Sequence, residues 1–162
     1  MPDTRVGLIS DTHGHLRAEV FEALREVDRL VHAGDVVDPD HLSDLEALAP
    51  VTAVYGNVDG HDVRAGVPEQ AVLDVGGVRV AVIHGHQVHP DYRKLLARFP
   101  EARVIVHGHT HVPRCDAVGN VLIVNPGAAG RAQKGHPASV AVLEVSGGVP
   151  SIRHVDLEAL GR

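Results

Sequence analysis

Val6-Gly7-Leu8-Ile9-Ser10-Asp11-Thr12-His13-Gly14 passes from a short apolar run straight into a turn that carries a carboxylate and an imidazole. The apolar part reads as a buried β-strand and the polar part as the loop leaving its C-terminal end. The same succession recurs along the chain. Leu30-Val31 runs into His32-Ala33-Gly34-Asp35, and Val51 to Tyr55 into Gly56-Asn57. Val78 to Ile83 runs into His84-Gly85-His86, and Arg103 to Val106 into His107-Gly108-His109-Thr110-His111. Helical spacing lies between these units. Leu16, Val20, Phe21, Leu24 and Val27 predict one helix; Leu42, Leu45 and Leu48 predict a second, stopped by Pro50. A third covers Asp91 to Phe99 and closes at Pro100. Gly76-Gly77, between two β-like runs, predicts a two-residue hairpin. Beyond His111 the chain reads as consecutive strands: Cys115 to Val118, Val121 to Val124, Ser139 to Val145 and Val149 to Val155. A β/α front and a β-rich back predict an α/β protein with two packed sheets and helices on the outer faces.

Composition narrows the function. At 162 residues the chain reads as a single domain, 1–162, large enough for a real core. Its 44% hydrophobic content comes from Val, Ala and Leu, with two Tyr, two Phe and no Trp. That leaves no aromatic platforms for stacking bases. The formal charge of −6 also argues against a long nucleic acid as partner. A phosphorylated small molecule stays open, because bound cations would reverse the sign locally. Cys115 is the only cysteine, so an internal disulfide is excluded. Asp3 and Arg5 interrupt any apolar leader, and no run is long enough to span a membrane; the expected location is the cytoplasm. Thirteen histidines are the strongest compositional hint.

Seven potential ligands stand at the expected strand ends: Asp11, His13, Asp35, Asn57, His84, His109 and His111. Strand ends of an α/β sheet converge on one edge, where ligands bind. Two adjacent divalent cations, about 3.5–4 Å apart, are a known device for splitting phosphate esters, and Asp, Asn and His suit them. Singly each piece is weak: Gly34-Asp35 and Gly56-Asn57 are also good turn dipeptides. Their shared placement after apolar strands gives them weight together.

The order D-x-H, G-D, G-N, a single His and then G-H-T-H resembles the calcineurin-like metallophosphoesterase superfamily, in particular its small bacterial and archaeal phosphodiesterases. Asn125-Pro126-Gly127 continues the likeness. The resemblance implies a four-layer α/β/β/α sandwich of two mixed sheets. It implies that Asp11, His13 and His111 hold one metal, that Asn57, His84 and His109 hold a second, and that Asp35 bridges them. The implied activity is hydrolysis of a phosphate ester, most simply a phosphodiester, by in-line attack of a hydroxide bridging the two metals, with Asp35, Asn57 and His109 acting as metal-held catalytic residues. Manganese leads as the expected metal, with iron, zinc, nickel or cobalt as alternatives. A small phosphorylated substrate and a homodimer are further expectations of the resemblance.

Where many relatives carry His after the motif Asn, this chain has Val58, which cannot protonate a leaving group. His86 and His61 are the candidate substitutes. His107 alternates with His109 and His111, so strand geometry would point all three the same way, and it could support a ligand; Asp59 reads equally as a residue orienting a metal-bound imidazole or as a plain turn carboxylate. His32 reads as a hydrogen-bonding neighbour of the site, and His15, His41, His89, His136 and His154 as surface residues. Two rival hydrolases fail: His84-Gly85-His86-Gln87-Val88-His89 has Val88 where a metallo-β-lactamase motif needs Asp, and the chain is too short for an amidohydrolase barrel. No G-x-G-x-x-G or P-loop sequence is present. The rival from another class is a non-catalytic scaffold on the same fold, which the seven filled ligand positions disfavour.

Overall fold

In a computed structural model, residues 3–160 are described. Ten strands divide between two five-stranded sheets. The first sheet has the order β10-β9-β1-β2-β3 and the second β4-β5-β6-β8-β7. Strands β1 (Thr4–Ile9), β2 (Arg29–His32) and β3 (Val51–Ala53) pair in parallel, as do β5 (Val78–Ile83), β6 (Val104–Val106) and β8 (Val121–Asn125). Antiparallel strands flank them: β9 (Ser139–Ser146) and β10 (Val149–Asp156) on the first sheet, β4 (Gln70–Val75) and β7 (Arg114–Val118) on the second. Each sheet is therefore mixed. Val75 pairs with Val78 across Gly76 and Gly77, both at positive φ, which is the predicted hairpin.

Strand periodicity sorts the apolar side chains into three layers of core. Val6, Leu8, Val31, Ala141 and Leu143 of the first sheet meet Val80, Val82, Val104, Val106 and Val124 of the second. Ile9, Leu30, Val140 and Val142 face the other way, onto Val20 and Leu24, Leu45 and Leu157. Val20 lies in α1 (Ala18–Ala23), with Leu24 at its C-cap; Leu45 lies in α2 (Asp40–Glu46). On the far side, Ala81, Ile83, Ile105 and Ile123 pack against Leu95 of α4 (Tyr92–Arg98). The layers run helix, sheet, sheet, helix, as the resemblance implies. Gly7 lets α1 approach: a Cβ there would stand 2.7 Å from Leu30 Cδ2 and 2.9 Å from Leu24 Cδ1.

The helices are shorter than their apolar spacing predicts, and two more were unforeseen: α3 (His61–Arg64) and α5 (Leu157–Leu160). Both are single turns, too brief to produce a periodic signal. No helix among the described residues is long and apolar enough to cross a membrane.

Candidate metal centre

The loops after β1, β2, β3, β5 and β6 gather at one edge of the sandwich, the C-terminal edge of the parallel strands in both sheets. Asp11 and Asp35 are buried there. Asp35 Oδ2 lies 3.3 Å from His13 Nε2 and 3.2 Å from His84 Nε2. Asp11 Oδ1 lies 3.2 Å from His111 Nε2, 3.5 Å from His13 Nε2 and 3.8 Å from His84 Nε2. Two overlapping groups result, Asp11–His13–His111 and Asp11–Asp35–His84, each with its ligand atoms within 4.8 Å of one another. The His109 ring stands 5.3 Å from that of His84.

Each carboxylate uses one oxygen for protein donors and aims the other inward. Asp11 Oδ2 accepts from Ser10 Oγ at 2.6 Å and from the His109 N–H at 3.1 Å. Its Oδ1 is buried with no hydrogen-bond donor. Asp35 Oδ1 accepts from the Val58 N–H at 3.0 Å, leaving Oδ2 to face both His13 and His84. The imidazoles follow the same logic. His84 Nδ1–H donates to the Ala33 carbonyl at 2.9 Å and His111 Nδ1–H to Gln133 Oε1 at 2.7 Å. Both therefore present an Nε2 lone pair to the cluster, and His84 Nε2 is buried without a partner. A buried, partnerless carboxylate oxygen beside a buried, partnerless imidazole nitrogen is costly unless a cation joins them. The donor set thus fits divalent metal ions on the structure's own terms.

The electrostatics agree. Burial pushes Asp11 up, but His111 and His13 outweigh it and hold its carboxyl well below the usual range. Asp35 is likewise pulled down by His13 and His84 against the effect of burial. The Asp11 and Asp35 carboxylates, 3.5 and 3.3 Å away, push His13 up to about 10. Burial opposes charge on His84, yet Asp35 and Asp11 push it upward. The cluster calls for positive charge.

Backbone strain marks the same positions. Asp11, His13, Asp35, His109 and His111 all have positive φ, between 49° and 71°. That left-handed region is disfavoured for side chains with a Cβ and tends to persist at functional sites. Gly108 is required by space: a Cβ there would lie 1.9 Å from Ser10 Oγ and 2.4 Å from Asp11 Oδ2.

Asp59, undecided from sequence, proves to be a clamp. Buried, it accepts from the N–H groups of Asp35 at 3.0 Å, Gly56 at 2.8 Å and Val37 at 2.7 Å. Arg64 holds the other side of that loop: its Nε donates to the Asp59 carbonyl at 2.7 Å, and its guanidinium lies 4.6 Å from the Tyr55 ring centroid. Asn57 stands between these anchors with an exposed side chain that makes no hydrogen bond among the described residues. His32 is buried and neutral: Nδ1 accepts from the Gly34 N–H at 3.1 Å, so Nε2–H donates to Thr12 Oγ1 at 3.0 Å.

Of the candidate proton donors, His86 comes near the cluster, its ring 5.4 Å from that of His84 and 6.3 Å from that of His109. His61, at the exposed start of α3, makes no hydrogen bond or ring contact with it among the described residues. The expectation that His107 points with His109 and His111 fails. β6 ends at Val106, and the positive φ of His109 and His111 breaks the strand alternation. His107 is buried and donates through Nδ1–H to the Gly108 carbonyl at 2.9 Å. His15 and His89 are exposed as expected, whereas His41, His136 and His154 are half-buried. The sequence offered no signal for Gln133, which orients His111 from 22 residues away.

A profile of the calcineurin-like phosphoesterase superfamily domain matches residues 4–148, and the chain belongs to that superfamily. A probable metallophosphoesterase of Methanothermobacter thermautotrophicus is 38% identical over 151 residues, covering 88% of this chain and 86% of its own. A phosphodiesterase of Methanocaldococcus jannaschii is 29% identical over 140 residues, covering 76% of this chain and 82% of its own. Among solved structures, a predicted phosphoesterase from Streptococcus pneumoniae superposes with a TM-score of 0.77 at 26% identity, covering 98% of this chain and 92% of its own. Vacuolar protein sorting 29 from Cryptosporidium parvum gives 0.77 at 22% identity, covering 94% and 97%; that likeness shows the fold alone. Membership of that superfamily supports a phosphoesterase, a hydrolase.

Proposed function

We propose that this chain is a phosphodiesterase working with a pair of divalent metals, held by Asp11, His13 and His111 on one side and by Asn57, His84 and His109 on the other, with Asp35 shared. The observation that carries this reading is the single oxygen of Asp35, which faces one histidine of each set while its partner oxygen is occupied by the Val58 N–H. When bound, the paired cations supply an activated water and neutralise charge gathering on the phosphoryl oxygens. The protein's own part is orientation. Ala33 and Gln133 fix the imidazole tautomers of His84 and His111. The Asp59 clamp holds the loops of Asp35 and Asn57 in register. His86, half-buried beside His84 and His109, is the candidate to donate a proton to the leaving oxygen. Burial, reinforced by the positive field of His84, lowers its pKa. Val58 in place of a second histidine favours diesters with good leaving groups.

Manganese is the metal we favour, with iron, zinc, nickel and cobalt as competitors, and a small phosphorylated molecule is the substrate. Long nucleic acid is disfavoured by charge. A cytoplasmic location and a homodimer complete the proposal. The scaffold alternative draws support from the fold but from no feature of the cluster. Asp35→Ala tests the reading directly: metal content by elemental analysis should fall, and turnover of an activated diester should vanish. Retention of metal with near-normal turnover would refute the shared role of Asp35.

A further inference from the structure

Arg131 stands beside the candidate metal centre on an anchored segment, and its side chain has no partner among the described residues. Upstream of it, the Ala129 N–H donates to the Ser10 carbonyl at 2.9 Å and the Gly130 N–H to the Asp11 carbonyl at 3.4 Å. Gly130 packs so closely that a Cβ would stand 2.3 Å from the Thr12 carbonyl oxygen. Downstream, Gln133 accepts from His111 at 2.7 Å, Gln133 and His136 exchange backbone hydrogen bonds, and Lys134 Nζ donates to the Thr110 carbonyl at 3.0 Å. Between these anchors the Arg131 side chain is exposed and makes no hydrogen bond or ion pair among the described residues. It lines a cavity of about 260 Å³ with Asp11, Thr12, His13, Gly130 and Gln133.

Arg17, Arg79 and Arg98 each pair with a carboxylate, whereas Arg131 pairs with none among the described residues. The carboxylate nearest along this cavity wall, Asp11, is committed to Ser10 and the histidine cluster. The guanidinium is therefore the uncompensated charge of the cavity, mounted on a segment tied to two ligand loops. We infer that the cavity is a subsite for a second anionic group on the substrate, a phosphate or carboxylate in the part that does not react, gripped by Arg131 while the reacting phosphoryl lies at the metal centre. A guanidinium offers such a group two parallel N–H donors. This rests on the phosphodiesterase reading above and narrows its substrate class.

The test is calorimetric binding to the manganese-loaded protein of three phosphonates of equal reach, whose carbon–phosphorus bonds resist hydrolysis: propylphosphonate, phosphonopropionate and ethylene diphosphonate. Wild type should bind one or both of the doubly anionic ligands about tenfold or more tightly than propylphosphonate, the scale of a charge-assisted bidentate contact. Arg131→Gln should erase that preference with metal content intact, and Arg131→Lys should keep part of it. Which tail is favoured tells carboxylate from phosphate. An equal drop for all three ligands would mean that Arg131 grips the reacting phosphoryl instead, and would overturn the subsite. So would a preference unchanged in the Gln variant, the absence of any preference in wild type, or loss of metal on substitution. Turnover of a simple diester is scored separately. Turnover without the Arg131-dependent preference sinks the subsite alone; no metal binding in wild type sinks both.

Discussion

Truncating Asp59 should loosen two ligand loops at one stroke. Its carboxylate takes three backbone N–H groups, two of them, from Asp35 and Gly56, in buried surroundings. The third, from Val37, is only part-buried, so water can replace it. A stranded buried donor costs roughly 1–3 kcal/mol, and water entering the relaxed loop offsets some of that, so Asp59→Ala should lose about 2–4 kcal/mol. In a chain of this size ~1 kcal/mol moves Tm by ~2–4 °C, which sets the expected drop at roughly 4–16 °C. Asp59→Asn keeps an acceptor oxygen for the Asp35 and Gly56 donors and loses only the Val37 contact, so it should fall by less than half as much. Supporting groups of this kind typically change metal affinity by about 10–100-fold. Calorimetric melting of the chelated proteins, followed by manganese titration, reads both quantities. Melting within about 1 °C of the parent, together with unaltered manganese affinity, would show that the clamp argument is wrong.

The remaining predictions concern neighbouring groups. Burial, the largest influence, pushes His32 down to about 4 from an ordinary value of 6.5, so the unfolded chain binds the extra proton between those limits and stability rises with pH across them. Stability of the chelated protein should be complete, as far as His32 is concerned, above pH 6.5 and should lose about 3 kcal/mol by pH 4, a slope that His32→Phe flattens in denaturant titrations. His13, pushed up to about 10, acts in a separate window: its contribution is whole below pH 6.5 and is lost toward pH 10. Gly108→Ala would drive a methyl into Ser10 Oγ and Asp11 Oδ2, so manganese content should drop; a variant fully loaded on elemental analysis would contradict the packing argument. Val58→His restores a proton donor beside Asn57 and should raise turnover of monoesters relative to diesters. An unchanged ratio would mean that Val58 does not set specificity.

Much of this arrangement was written in local pattern. Each of Val6 to Ile9, Leu30-Val31, Val78 to Ile83 and Val104 to Val106 is a buried strand with its polar exit, because nearest-neighbour periodicity decides such segments. Gly76-Gly77 could be read because a tight hairpin needs positive φ there. What stayed hidden depends on contacts across the chain. Gln133 reaches His111, and Asp59 reaches Val37, only through the fold. The orientation of His107 was misread because the strand stops at Val106, one residue before the alternation would have applied. Helix α3 escaped because its only buried residue is Val63, too little to generate a face.

The cluster draws Asp11, His13 and Asp35 from loops of the first sheet, and His84, His109 and His111 from loops of the second. Between the sheets lie almost wholly aliphatic side chains, whose attraction is indifferent to direction and tolerates sliding. Coordination is directional. A cofactor bound at that edge would act as a rivet through both plates, fixing their relative shear at the point where chemistry needs it fixed. Its removal should be felt as increased amide exchange along β2 and β5, well before the sandwich itself comes apart.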